Sequence, residues 1–336
     1  MSRANKRHDF EERLARLDAP GRTDDRDAHN SLIAESLGDK HFRVVARAAA
    51  LAAERSLRDQ VPQLLSAYPR FLADPVRQDP QCVAKGAIAR ALVELDAPDV
   101  AFFLEGIRYR QLEPAWGPPV DTAIDVRCSC AMGLVATGYS RAIQELTTLL
   151  DDPEWRARAG AVRAISCGRR GEAEAVLRLK VLVGDAEPEV IGECFSGLLA
   201  IAKDECLPLV ASGLSAGDGV AAFAALALGE SRDEAALHHL RAAWDRDSGD
   251  REFRSVLIRA AALHRTEPAF NWLISIVETG TRTHADTAVK ALSIYQSNAR
   301  LSERVQAALR KRREAGTEPP TPPGTSPGCT DSRRTN

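Results

Sequence analysis

The sequence predicts an all-α protein, an α–α superhelix of about eight helix pairs, from its composition and from an internal repeat. Of its 336 residues, 44% are apolar and 27% are charged, which is typical of folded proteins. Only 5% are aromatic, so the core must consist mainly of Ala, Leu, Val and Ile. Such a core favours closely packed helices over sheets rich in aromatic side chains, and we expect no sheet.

The repeat is a helix with small residues three and four apart on one face, often with a basic residue near its start. The last residues of successive copies are 29 to 42 positions apart, a length that fits one helix pair with its turns. Amphipathic segments between the copies supply the other helix of each pair. The eight copies are Asp39–Glu54, Asp79–Leu92, Asp121–Leu134, Asp152–Ile165, Asp185–Leu198, Asp218–Glu230, Asp250–Leu263 and His284–Leu292.

These copies resemble HEAT repeats of the short bacterial kind, the PBS-lyase-like HEAT repeats. The resemblance implies an armadillo-type α-solenoid, in which the second helix of each pair lines a concave face. It also implies a scaffold more than an activity. The DNA glycosylases, iron hydroxylases and bilin lyases with related repeats are the alternatives from that resemblance.

The chain divides into a solenoid with distinct ends. We expect residues 1–38 to form an N-terminal helical cap and residues 39–298 to form the repeats. Residues 299–315 are predicted to form a last helix. Residues 316–336 are rich in Pro, Gly, Ser and Thr, so they are expected to be a disordered tail.

Composition also restricts the compartment and the kind of partner. The seven cysteines are scattered and lack a CxxC pair, which argues against disulfides and structural zinc. The N-terminal stretch has no apolar signal region, and no apolar run is long enough for a membrane span. We therefore expect a cytoplasmic protein without membrane contact. A net charge of −2 disfavours nucleic acid as a partner.

No residue pattern predicts catalysis. None of the seven histidines is followed by Glu, whereas HEAT-type iron hydroxylases use repeated His-Glu pairs to hold two metals. Adjacent His238 and His239 diverge by about 100° on a helix and cannot chelate together. We expect no catalytic residue, no metal and no cofactor.

One long loop interrupts the repeat, at residues 109–121. Its prolines and Gly117 prevent a helix, and it brings Trp116 together with Tyr109 and Arg110. A Trp in a proline-stiffened loop suits a binding anchor. The alternative is that Trp116 folds back and fills a gap between helix pairs.

Three basic residues occupy the same repeat position: Lys85, Arg127 and Arg158. A stack would align them along one edge of the concave groove, where they could bind an acidic peptide or a phosphate. The alternative is a structural ladder, in which each cation pairs with an Asp of the next repeat, such as Asp121 or Asp152.

These observations favour a non-enzymatic scaffold that binds a protein or peptide, with an acidic partner as one option. The candidate binding residues are Trp116, Tyr109, Arg110, Lys85, Arg127 and Arg158. A nucleic-acid-binding module resembling the HEAT-like DNA glycosylases is the alternative, followed by a bilin-lyase-like enzyme or a HEAT-type hydroxylase. The sequence leaves the oligomeric state open.

Overall fold

A computed structural model describes residues 3–19, 26–168, 170–217, 219–246 and 250–317. The chain forms two compact units, unit 1 (residues 1–231) and unit 2 (residues 232–336). Within the described ranges the fold is all-α, as predicted, apart from one short hairpin. None of the helices described is both long and apolar enough to cross a membrane.

Unit 1 begins with two helices that precede the repeats and continues with the helices of the repeats. The first two are α1 (Arg3–Asp18) and α2 (Arg26–Leu37). The rest are α3 (Phe42–Glu54), α4 (Val61–Ala67), α5 (Pro75–Gln78), α6 (Val83–Glu94), α7 (Val100–Gly106), α8 (Ile124–Ala136), α9 (Ala142–Thr147), α10 (Trp155–Ser166), α11 (Arg170–Val183), α12 (Pro188–Ile201), α13 (Lys203–Ser212) and α14 (Val220–Ser231).

Short 3₁₀ helices occur in both units, next to several of the α-helices. They span Arg58–Gln60, Tyr68–Phe71, Pro80–Cys82, Thr148–Asp151, Gly213–Ser215 and Ser293–Tyr295.

The repeat copies coincide with the inner helices. These inner helices are α3, α6, α8, α10, α12 and α14, and each packs against the next in this order. Helices α7, α11 and α13 each pack against at least one of them. The helix-pair stack predicted from the repeat is confirmed in this unit. Its core is built chiefly from Ala, Leu, Val and Ile, as the low aromatic content indicated.

Small residues let the inner helices approach closely. A Cβ at Gly160 on α10 would lie 2.3 Å from the sulfur of Cys128 on α8. A Cβ at Gly192 on α12 would lie 2.7 Å from the ring of Phe223 on α14. The glycines of the motif therefore admit side chains from the neighbouring helix.

The exception to the all-helical prediction is a hairpin of two-residue strands, β1 (Leu112–Glu113) and β2 (Val120–Asp121). The strands are antiparallel, with Leu112 opposite Asp121 and Glu113 opposite Val120. The expectation of no sheet was therefore wrong at this point. A two-residue strand has no periodicity to reveal it, and this hairpin depends on tertiary contacts described below.

Unit 2 has its own apolar core, formed by residues such as Ile258, Leu273 and Ala308. Its helices are α15 (Glu234–Arg246), α16 (Arg251–His264), α17 (Glu267–Thr279), α18 (Arg282–Leu292) and α19 (Ala299–Thr317). The last helix continues two residues into the predicted tail. The remainder of that tail, residues 318–336, lies outside the described residues.

Candidate functional site

The hairpin presents apolar side chains to solvent. Trp116 at its tip is fully exposed, and Leu112 and Val120 on its strands are 61% and 52% exposed. Trp116 therefore does not fill a gap between helix pairs, and that alternative is excluded. Large apolar groups exposed together on one projecting element are typical of contact surfaces.

Polar groups hold the base of the hairpin against the helix stack. The Arg110 guanidinium donates to Asp152 at 3.0 Å and lies 3.5 Å from Asp121. The Gln111 amide donates to the carbonyl oxygen of Asp79 at 3.0 Å and to Glu113 at 2.8 Å. Hydrogen bonds of this kind fix the orientation of the hairpin on the stack.

Glu113 keeps its charge at the base of the hairpin. Partial burial acts to raise the pKa of its carboxyl, but hydrogen bonds from Gln111, Thr122 and the backbone N–H of Gln81 outweigh burial and lower the pKa. The carboxylate is therefore ionised at neutral pH.

Lys85 on α6 is fully buried. Its ammonium group lies 3.0 Å from Asp79, donates to the carbonyl oxygen of Phe71 at 3.2 Å, and lies 5.8 Å from the centre of the Tyr109 ring. Lys85 thus pairs with an Asp of its own repeat. Its charge is compensated inside the protein, and its side chain offers no surface to a partner.

Arg127 on α8 is also fully buried, between two carboxylates. It lies 2.8 Å from Asp121 of its own repeat and 3.1 Å from Asp152 of the next, and it donates to the carbonyl oxygen of Tyr109 at 2.9 Å. This pairing across repeats is the geometry of a structural ladder.

Arg158 on α10 continues that arrangement. Its guanidinium donates to both oxygens of Asp185, at 2.8 and 2.6 Å, and Lys180 approaches the same carboxylate at 2.8 Å. Burial acts to raise the pKa of Asp185, but the hydrogen bonds from Arg158 and Lys180 outweigh it, so the pKa lies well below its usual range.

The three cations thus lie away from the groove edge on which a row of free charges was expected. The helix rotates about 100° per residue, so Arg127 is about 200° from Asp125 on the same helix. Asp125 faces the groove, and Arg127 faces the interior. Of the six candidate binding residues, Trp116 is fully exposed and Arg110 and Tyr109 are partly exposed, while Arg158 is 13% exposed.

A groove of about 680 Å³ runs across α8, α10, α12 and α14. Apolar side chains contribute much of its lining, including Ile124, Trp155, Phe223 and Leu226. Its volume lies within the range that ligand sites occupy.

A second hollow of about 540 Å³ lies beside the hairpin, whose Pro114 and Val120 line it. It shares Ile124, Asp125 and Arg156 with the groove. The hairpin and the groove therefore form one continuous surface, which we call the groove surface.

Charged side chains around this surface are mostly acidic. Asp121 also lines it but is paired with arginines, so it is left out of the count. The remaining lining has five carboxylates and two guanidinium groups. They are Glu113, Asp125, Glu189, Glu193, Glu230, Arg156 and Arg163.

Sequence reasoning missed these groove residues. Asp125, Arg156 and Glu189 each stand four positions after the Asp that opens their repeat copy, and Cys128, Ala159 and Gly192 stand seven positions after it. That spacing places them on one helix face. Comparing these positions across all copies identifies the helix face that lines the groove. The position of Lys85, Arg127 and Arg158 lies on the opposite side of the helix.

The described residues contain no group of three or more His, Cys, Asp or Glu side chains that could hold a metal ion. The Cys128 thiol, which lines the groove, has its pKa raised by burial. A raised pKa leaves a thiol protonated and poorly nucleophilic at neutral pH.

Comparison with known proteins adds little beyond this geometry. No protein-family model matches the chain, and no curated protein matches it. Among solved structures, an engineered protein is similar at 16% identity, with a TM-score of 0.37, covering 90% of this chain and 93% of that one. Human deoxyhypusine hydroxylase, solved with glycerol, is similar at 15% identity, with a TM-score of 0.26, covering 86% of this chain and 90% of that one.

Proposed function

We propose that this chain is a non-enzymatic scaffold of HEAT-type repeats that binds a protein or peptide segment on the groove surface of unit 1. One observation carries the proposal: a fully exposed Trp116 stands on a hairpin whose base is held by Arg110 and Gln111, beside an open groove. Ordering such an element in advance lowers the entropy lost on binding.

The side chains under the hairpin support a recognition role for its tip. Arg110, Gln111 and Asp121 make contacts to the stack, whereas Trp116 makes none of the hydrogen bonds or ring contacts described. Trp is enriched among residues that dominate binding energy. Contact between the Trp116 ring and water is unfavourable in the free protein, and no packing offsets it. This fits a residue that contacts a partner.

The test compares Trp116→Ala with Leu182→Ala in the full chain. Leu182 is 74% exposed on α11, away from the groove surface, so it is a matched loss of exposed apolar surface. Proteins captured from the source cell would be quantified by mass spectrometry against each variant.

We expect a partner retained by the wild type and by Leu182→Ala to be lost with Trp116→Ala. Both variants should unfold within about 1 kcal/mol of the wild type, because neither residue is buried. Equal capture by all three proteins would contradict a contact role for the hairpin.

A further inference from the structure

We infer that the segment bound on the groove surface is a basic, amphipathic peptide. The inference rests on the proposed binding function and specifies its partner. It departs from the acidic partner that the row of Lys85, Arg127 and Arg158 suggested, because those three cations are paired with Asp79, Asp121, Asp152 and Asp185.

The charges that remain on the groove surface are negative. Five carboxylates against two guanidinium groups leave an excess of three negative charges. Arg163 is already paired with Glu193 at 2.5 Å. Arg156 lies with its guanidinium 5.1 Å from the centre of the Trp155 ring.

Three of the carboxylates have no ion pair or hydrogen bond within the described part of the chain: Asp125, Glu189 and Glu230. They lie on α8, α12 and α14, so they are distributed along the groove instead of forming one cluster. Lysine or arginine side chains of a bound segment would pair with them. Phosphate groups of a nucleic acid would be repelled, since like charges placed together oppose binding.

Apolar groups of the same surface indicate that the bound segment also has apolar side chains. Phe223, Leu226 and Trp155 line the groove, and Val120 lines the hollow beside the hairpin. A purely polar basic segment would leave these groups and Trp116 without contact. A segment with apolar side chains on one side and basic side chains beside them fits both features.

The experiment selects ligands without presuming their identity. A phage-displayed library of random peptides is selected on the full-length chain, and the enriched peptides are synthesised and measured by fluorescence anisotropy. Measurements at low salt and at about 0.15 M salt report the electrostatic part of the affinity. A single-stranded DNA oligonucleotide serves as the anionic probe.

The test variant is Asp125→Asn, Glu189→Gln and Glu230→Gln combined. Its matched control is Asp151→Asn, Glu94→Gln and Glu105→Gln. This control also removes one Asp and two Glu carboxyl groups, but from exposed positions that do not line the groove surface. Circular dichroism checks that both variants keep the helical content of the wild type.

We expect the enriched peptides to combine Lys or Arg with aliphatic or aromatic residues, and their affinity to fall with added salt. The groove variant should bind them about tenfold more weakly, whereas the control should stay within about twofold of the wild type. Replacing the basic residues of a peptide by Glu should abolish binding to the wild type, and Asp125→Lys with Glu189→Lys should restore it.

The outcomes separate this inference from the proposed function. Enriched peptides that are neutral or acidic, or that bind the groove variant as well as the wild type, overturn the inference. If those peptides still require Trp116, the scaffold function stands. Failure to enrich any peptide, or binding of the oligonucleotide alone to the chain that is lost with Trp116→Ala, overturns both.

Discussion

At the scale of single residues, Lys85 and Arg127 occupy the same position in successive repeats, and both are buried cations with a structural role. Lys85 and Arg127 have no exposed surface, and each lies within 3.1 Å of a carboxylate. A buried charge is tolerated only when a partner compensates it. This requirement explains why an Asp opens each of these repeats, and why the cations are unavailable to a partner.

The Arg127 pair gives a first prediction. Arg127→Met would leave Asp121 and Asp152 without their main partner, so we expect a loss of about 3 kcal/mol in the free energy of unfolding. The comparison is Arg163→Met, which breaks a pair that is half exposed, and we expect a change below about 1 kcal/mol. Urea unfolding measures both. A similar loss in the two variants would show that Arg110 suffices to compensate both carboxylates.

Asp185 gives a prediction about pH. Its pKa is lower in the folded protein than in the unfolded chain, so its stabilising effect is complete above the ordinary value of about 3.9. That effect is lost as the pH falls toward the folded value, because the unfolded carboxylate takes up a proton first.

We therefore expect Asp185→Asn to unfold about 2 kcal/mol more easily than the wild type at pH 7, since Arg158 and Lys180 lose their acceptor. The difference should shrink steadily below about pH 4. Asp151→Asn, an exposed change of the same type, should show little difference at either pH. A gap for Asp185→Asn that is constant with pH would contradict the argument.

At the scale of elements, the regular helices could be predicted and the hairpin could not. Small residues at a spacing of three and four recur in eight copies, and each copy coincides with a helix. The hairpin has strands of only two residues, and it is held by Arg110 and Gln111, whose partners Asp152 and Asp79 lie 42 and 32 positions away in the sequence. Such long-range contacts leave no local signal, although the length and the prolines of the loop did mark it as an interruption.

The candidate site was predicted in part, for a related reason. Trp116 stood out because of its loop, but the carboxylates at Asp125, Glu189 and Glu230 look like an ordinary solvated helix face when each helix is read alone. Only the stacking of α8, α12 and α14 brings them to one groove. The number of free charges there depends on which cations are paired, and pairing is a property of the packed structure.

The hairpin as an element gives a third prediction. Replacing residues 114–119 by Asn-Gly removes Trp116 but keeps Arg110, Gln111 and Asp121, which anchor the base. Asn-Gly favours a tight turn between antiparallel strands. We expect thermal unfolding to stay within a few degrees of the wild type, and peptide binding to fall as far as in Trp116→Ala.

A second variant gives the contrast, because Arg110→Ala removes an anchor and leaves the tip intact. It should lower stability and weaken binding together, since the hairpin loses its fixed orientation. If the Asn-Gly variant unfolds as readily as Arg110→Ala, the tip contributes to packing in spite of its exposure.

At the scale of the whole molecule, the proposed binding surface lies within one of the two units. The core that includes Leu17 and Cys206 lies in unit 1, and the core that includes Ile258 and Ala308 lies in unit 2. All residues of the hairpin and the groove surface belong to unit 1. In repeat proteins each repeat contacts mainly its neighbours, so a contiguous block can retain its structure when others are removed.

This division gives the last prediction. A fragment of residues 1–231 should fold with the helical signal expected for its length, and should bind the selected peptides within about threefold of the full chain. The measurement is anisotropy titration of both proteins at the same salt concentration. A folded fragment with a much weaker affinity would mean that residues of unit 2 contribute to recognition, because every groove side chain would still be present.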